Sequence, residues 1–269
     1  MKADAPLGVF DSGLGGLTVV RALREALPGE HIVYLGDTAR VPYGTKGSAT
    51  VVKYALACAR HLLDRKVKAI VVACNTVSAV APERLRVELD VPVLEVIEPG
   101  ARAAVAATKT GKIGVLATAG TIASGAYPRA VAQRSTRAEV IGQAAPLLVP
   151  LAEEGWTEGE VPRLVVRRYL EPLARAGVDV VVLGCTHYPL LRGVIEEEVL
   201  ARAGAGVAVV DSARATAVDV EAFLDSRALR REGKGGSVEL LVTDVPRTFR
   251  DVASRFLGAE VTDVEQVDL

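Results

Sequence analysis

Two cysteines stand at matching places in two similar stretches of this chain. Cys74 leads into Asn75 and Thr76, and Cys185 leads into Thr186 and His187. The run Ala69-Ile70-Val71-Val72-Ala73 precedes the first, and Val180-Val181-Val182-Leu183-Gly184 precedes the second. A thiolate takes a proton and a thiol gives one, so a pair of cysteines is the minimum equipment for two-base proton transfer. A cysteine at a helix N-terminus is expected to have a pKa below the usual value of roughly 8.5, which is the reading for Cys74. His187 can hold or relay a proton for the thiol of Cys185.

Two further clusters carry residues suited to holding a ligand. Asp11-Ser12-Gly13-Leu14-Gly15-Gly16 follows an apolar run and precedes a helical pattern. Its glycines let backbone approach a ligand and free N–H groups hold an anion. The spacing is not G-x-G-x-x-G, so it does not predict a dinucleotide site, and a plain tight turn is the alternative. The second cluster runs from Gly36-Asp37 through Arg40 to Pro42-Tyr43-Gly44. A turn with exposed amides is expected there, with Asp37 and Arg40 pairing to brace it.

Competing chemistries are weaker. Cys74, Cys185 and His187 make only three metal ligands with no C-x-x-C pair, which argues against zinc, and no metal site is assigned. A Cys-His hydrolase would leave the second cysteine without a role. A protein that only binds an amino acid or anion has no need of two thiols. Cys58 lies on the apolar stripe Val51, Ala55, Cys58, Leu62 and reads as a small core residue. His31 begins a strand and His61 sits near a helix end, and neither is assigned a role.

The elements that must position these residues alternate along the chain. Strands are expected at Leu7–Phe10, His31–Leu35, Lys68–Ala73, Val93–Val96, Lys112–Ala117, Ala138–Ile141, Val178–Leu183, Val207–Val210 and Ser237–Val242. Helices are expected at Gly16–Leu27, from a Ser48 cap to about Leu63, and at Val77–Glu88, Ala101–Ala107, Gly159–Ala176, Leu190–Ala201 and Arg214–Leu224. The charged, glycine-bearing stretch Ser226–Gly236, with Arg230, Arg231, Lys234, Gly235 and Gly236, reads as a solvated loop. Short unbroken β-branched runs alternating with helices imply βαβ units and parallel sheets, which bind ligands at the carboxyl edge. Leu7-Gly8-Val9-Phe10 resembles Ile113-Gly114-Val115-Leu116. Gly8 and Gly114 are 106 residues apart, and Cys74 and Cys185 are 111 apart, which suggests a duplication. The fold class expected is therefore α/β: two similar domains with mainly parallel sheets, related by a pseudo-two-fold axis, with the site in the cleft between them. The first domain is expected to be discontinuous, residues 1–97 plus 210–269, and the second to be residues 98–209.

Length and composition set the class. The chain has 269 residues, half of them hydrophobic, enough for one or two cores. Lys plus Arg is 32 and Asp plus Glu is 33, a net charge of −1, which gives no reason to expect nucleic acid or a membrane surface as partner. No apolar stretch reaches the roughly 18 residues of a membrane span. No secretory signal is visible from Met1 to Leu7. Three widely spaced cysteines do not form a disulfide framework, so a reducing cytoplasm is the expected setting.

The four clusters together resemble the glutamate racemases of the cofactor-independent aspartate/glutamate racemase superfamily. The matching segments are Gly8 through Gly16, Asp37–Arg40 with Pro42-Tyr43-Gly44, Cys74-Asn75-Thr76, Pro146-Leu147-Leu148-Val149-Pro150 through Gly155, and Gly184-Cys185-Thr186-His187-Tyr188-Pro189. They span about residues 7 to 225 in the family's order. One departure is Ala145, where the family often has cysteine. The resemblance implies a fold of two α/β domains and a reaction that interconverts L- and D-glutamate without a cofactor. By the same resemblance, Cys74 and Cys185 are the acid/base pair. Asp11 assists Cys74, and His187 and Glu153 assist Cys185. Substrate contacts fall to Asp11, Ser12, Pro42, Tyr43, Gly44, Asn75, Thr76, Thr186 and His187. The resemblance also implies a cytoplasmic homodimer supplying D-glutamate to bacterial peptidoglycan. A racemase for aspartate or another amino acid in the same superfamily is the alternative.

Overall fold

The computed structural model describes residues 2–233, 235–245 and 249–269. Lys234, part of the expected solvated loop, lies outside them. The chain divides into two compact units, Met1–Val96 with Ala213–Leu269, and Ile97–Ser212.

The first unit begins β1 (Leu7–Asp11), α1 (Leu17–Ala26), β2 (Ile32–Gly36), α2 (Ser48–Asp64), β3 (Ala69–Val72), α3 (Asn75–Ser78), α4 (Pro82–Glu88) and β4 (Val93–Glu95). The second unit holds α5 (Ile97–Ala107), β5 (Lys112–Ala117), α6 (Ala119–Ser124), α7 (Ala126–Ala132), β6 (Glu139–Ala144), α8 (Leu148–Glu153), α9 (Glu160–Ala176), β7 (Val180–Gly184), α10 (Arg192–Ala203) and β8 (Ala208–Asp211). The chain then completes the first unit with α11 (Ser212–Ser226), β9 (Val238–Val242), α12 (Phe249–Leu257) and β10 (Glu265–Gln266).

Among the described residues, six strands of the first unit pair in the order β10-β9-β2-β1-β3-β4, and four of the second in the order β6-β5-β7-β8. Every pairing between them is parallel. The inner strands β1, β2, β3 and β7 are buried along their whole length. That is why they read as unbroken apolar runs without alternation.

The duplication is visible in the register. β1 sets Gly8 opposite Ile70, and β5 sets Gly114 opposite Val181. The step from Ile70 to Val181 is the step from Cys74 to Cys185. Even the packing on the two glycines repeats. A Cβ on Gly8 would lie 3.1 Å from Val67 and 3.3 Å from Leu62, and one on Gly114 would lie 3.3 Å from Val178 and 3.0 Å from Leu173. In both units, absence of a side chain lets the helix before the cysteine-bearing strand lie close on the central strand.

The structure corrects several local expectations. The helix expected over Val77–Glu88 is two helices, because Pro82 lacks an N–H and opens α4 at its first turn. Ser48 is the first residue of α2 and not its cap; Gly47 precedes it in extended conformation with no side-chain cap bond. The stretch after Ser226 is largely exposed, as expected of a solvated loop. It is nonetheless anchored, since Leu229 is buried and its carbonyl accepts from Lys68.

Candidate active site

In the first unit, three loops leave the carboxyl ends of β1, β2 and β3 and meet. The β1 loop turns at Asp11, which is almost fully buried. Its Oδ2 accepts the N–H groups of Gly13 (3.3 Å) and Gly16 (3.0 Å), so the carboxylate organises the turn that carries Ser12. A Cβ on Gly16 would lie 2.5 Å from the Cβ of Asp11, so only glycine fits there. From β2, the Tyr34 hydroxyl donates to the Gly13 carbonyl at 2.7 Å and fixes the same turn from below. Beyond β3, Cys74 caps α3, and its Sγ donates to the Ser12 hydroxyl at 3.4 Å. Asn75 and Thr76 follow as the first, buried residues of α3.

The β2 loop forms two 3-10 turns, Thr38–Arg40 and Tyr43–Thr45. Asp37 is completely buried and accepts from Arg40 Nε at 2.6 Å, which is the expected brace. It also accepts from the Tyr43 hydroxyl and, at 2.9 Å, from the hydroxyl of Thr243. The Arg40 guanidinium lies 4.3 Å above the ring of Tyr54. Burial, and then the nearby Cys58 and Asp37, hold the Tyr43 phenol well above its usual pKa, so it stays neutral and donates. Pro42 is exposed and Gly44 half-buried. The turn Tyr43–Thr45 packs against α3, and Tyr43 and Cys74 belong to one buried cluster.

The second unit presents a corresponding strand end. Cys185 follows β7 with its Sγ 3.8 Å from His187 Nδ1, and His187 Nε2 is 2.9 Å from Glu153 Oε1 at the end of α8. The Thr186 hydroxyl lies 3.4 Å from the same Nδ1. Burial opposes charge on His187, but its hydrogen bonds to Cys185 and Glu153 outweigh this and push its pKa up to about 10. His187 is therefore protonated at neutral pH. It stands as a cation between a carboxylate and a thiol, within reach of both. The Tyr188 hydroxyl donates to the Ala145 carbonyl at 2.8 Å and joins this loop to the one after β6. Ala145 is fully buried, so the departure from cysteine there affects local packing.

The structure thus gathers Asp11, Ser12, Pro42, Tyr43, Gly44, Cys74, Asn75 and Thr76 at one sheet edge of the first unit, and Glu153, Cys185, Thr186 and His187 at one of the second. Cys58 lies in the core beneath the first, fully buried, and burial pushes its thiol up to about 12, so it is inert. Tyr34, Tyr188 and Thr243 support these loops, and none is assigned a role from the sequence, although Tyr188 lies in a matched segment. Their hydroxyls act on residues 21, 43 and 206 positions away, beyond any local motif. Among the described residues, no group of three or more His, Cys, Asp or Glu could hold a metal ion.

Comparison with known proteins gives a consistent result. The sequence pattern of the Asp/Glu/hydantoin racemase family matches residues 9–220. A glutamate racemase from Geobacter metallireducens is 51% identical over 98% of this chain and 96% of its own. A crystal structure of a glutamate racemase from Bacillus anthracis superposes with a TM-score of 0.93 at 37% identity, covering 98% of each chain. A glutamate racemase from Francisella tularensis, solved in complex with D-glutamate, gives 0.90 at 36% identity over 99% of this chain and 98% of its own. With its two parallel α/β sheets and a cysteine ending the corresponding strand of each, the chain belongs to the Asp/Glu/hydantoin racemase family of isomerases.

Proposed function

We propose that this enzyme interconverts L- and D-glutamate by a two-cysteine proton transfer that uses no cofactor. The observation that carries the reading is the pair Cys74 and Cys185, each at the same strand end of a repeated sheet, each flanked by polar side chains. Similarity to glutamate racemases over nearly the full chain supports glutamate as substrate.

In this mechanism one thiolate removes the α-proton from one face of glutamate. The electron pair left behind is delocalised into the α-carboxylate, the carbon becomes planar, and the opposite thiol returns a proton to the other face. The two cysteines exchange roles with direction. Cys74 is assigned to D-glutamate and Cys185 to L-glutamate. Asp11 assists Cys74. His187, oriented by Glu153, assists Cys185. Ser12, Asn75, Thr76 and Thr186, with the backbone of Pro42-Tyr43-Gly44, hold the carboxylates and ammonium, partly through charge-assisted N–H bonds. Among the described residues, no helix is long and apolar enough to cross a membrane. The physiological setting consistent with this chemistry is a cytoplasmic homodimer that supplies D-glutamate for peptidoglycan.

The test is incubation with L-glutamate in D₂O without added cofactor, following optical rotation and α-deuterium together, with L-aspartate in parallel. Rotation should decay with deuterium uptake on glutamate. Cys74→Ser and Cys185→Ser should each lower the rate by at least about 10²-fold while glutamate still binds. Full turnover by either variant would sink the two-thiol mechanism, and exchange on aspartate alone would move the substrate.

A further inference from the structure

The loop carrying Pro42, Tyr43 and Gly44 is fastened from the far end of the chain. Beyond the last β2–β9 register pair, Gly36 opposite Val242, the Thr243 N–H donates to the Gly36 carbonyl at 3.1 Å. The Thr243 hydroxyl then donates to Asp37 Oδ1 at 2.9 Å and accepts the N–H of Ala39 at 2.8 Å. Thr38 answers in the opposite direction: its hydroxyl donates to the Asp244 carbonyl at 2.6 Å and accepts the Asp244 N–H at 2.8 Å. A hydroxyl has one proton and two lone pairs, so each threonine uses its donor and one acceptor on the other segment.

The consequence passes through Asp37. This buried carboxylate holds both Arg40 and the Tyr43 hydroxyl, so fixing Asp37 fixes the turn that packs against α3. A valine at 243 would keep the β-branch and volume of threonine. It would leave Asp37 Oδ1 short of a donor and the Ala39 N–H short of an acceptor, and such losses cost more than the mean worth of a hydrogen bond.

We infer that Thr243 is a positioning residue: the end of β9 clamps the loop 38–45 in the conformation that receives substrate. The kinetic part of this inference rests on the racemase reading, and the clamp itself does not. The experiment compares the full-length enzyme with Thr243→Val and Thr243→Ser, reading kinetics in both directions and backbone hydrogen exchange over residues 38–45. Thr243→Val should raise KM for both enantiomers about tenfold, change kcat by less than about threefold, and speed exchange at 38–45 about tenfold. Amides of β1 and β3 should keep their protection, and Thr243→Ser should restore both readouts. Should Thr243→Val not fold, Thr38→Val removes the other half of the clamp and carries the same expectation. Unchanged exchange at 38–45, or a fall in kcat with KM unmoved, overturns the inference. A wild-type enzyme inactive on glutamate would overturn the racemase reading alone, and the exchange data would still decide the clamp.

Discussion

Cys74 and Cys185 occupy equivalent strand ends, yet their surroundings differ in charge. Cys74 donates to a neutral hydroxyl, Ser12, beside a carboxylate already engaged with backbone N–H groups. Cys185 sits beside an imidazole tied to Glu153 and held protonated up to about pH 10. That asymmetry has a measurable counterpart in stability. The ordinary pKa of histidine is about 6.5. A raised folded-state pKa means that the folded state binds the proton more tightly. The stabilisation is complete below about pH 6.5, where both states are protonated. It declines as the unfolded state deprotonates and is gone above about pH 10. Between His187→Gln and the wild type, the gap in urea-derived unfolding free energy should therefore be largest near pH 6. A displacement of this size is worth on the order of a few kcal/mol. The gap should shrink steadily toward pH 10, and an equal gap at both ends would show that the imidazolium is not the stabilising form.

At the scale of elements, the two ends of the first sheet are held by different means. The carboxyl end carries the loops just described, joined mainly by hydrogen bonds to backbone and hydroxyl groups. The amino end is locked by a buried ion pair. Lys68, just before β3, and Glu30, just before β2, both have fully buried side chains and lie 2.5 Å apart. Removing two charges from water costs several kcal/mol each, which geometry must offset. Here the ammonium donates to the Ala3 carbonyl at 2.7 Å and the Leu229 carbonyl at 2.8 Å, and lies 2.5 Å from Glu30 Oε2 as an ion pair. The other Glu30 oxygen accepts the Arg231 N–H at 2.7 Å. One lysine thus ties the N-terminal segment, the start of β2 and the chain after α11 to β3. Lys68→Met should cost about 3–5 kcal/mol, because Glu30 is left buried and uncompensated. Adding Glu30→Gln should recover most of that. Urea unfolding of the two variants checks both, and a cost below about 1 kcal/mol for Lys68→Met would mean that water or a cation replaces the ammonium.

For the whole molecule, the inner strands were the legible part, because a strand buried on both faces writes itself as a β-branched run; β6, half-buried or exposed throughout, runs three residues past its expected end, and β10 was not expected. The repeat was legible too, since Gly8 and Gly114 mark one register. The helices of the second unit were less so. Gly125, in left-handed conformation, separates α6 from α7, and neither piece is long enough to show a period. Within the site, motifs foretold which residues share a sheet edge. They did not foretell that the Tyr43 hydroxyl turns inward to Asp37, or that Thr243 holds that carboxylate from 206 residues away. Long-range satisfaction of a buried charge leaves no local trace. The same contrast between local and distant bonding separates the two units. The first needs segments from both ends of the chain. The second, Ile97–Ser212, is continuous and carries its own sheet. The Ser212 hydroxyl donates to the Leu183 carbonyl at 3.0 Å, and Asp179 gathers the Thr108 hydroxyl and the N–H groups of Lys109 and Thr110 at 2.5–2.8 Å. A segment of this size is typical of an independent domain. Expressed alone, residues 97–212 should therefore give an α/β circular-dichroism spectrum and one cooperative urea transition. Because they hold Cys185 but not Cys74, they should exchange no α-proton of glutamate into D₂O as racemised product. A non-cooperative fragment would show that the second unit depends on the first for its fold, and racemisation by the fragment would show that one thiol is enough.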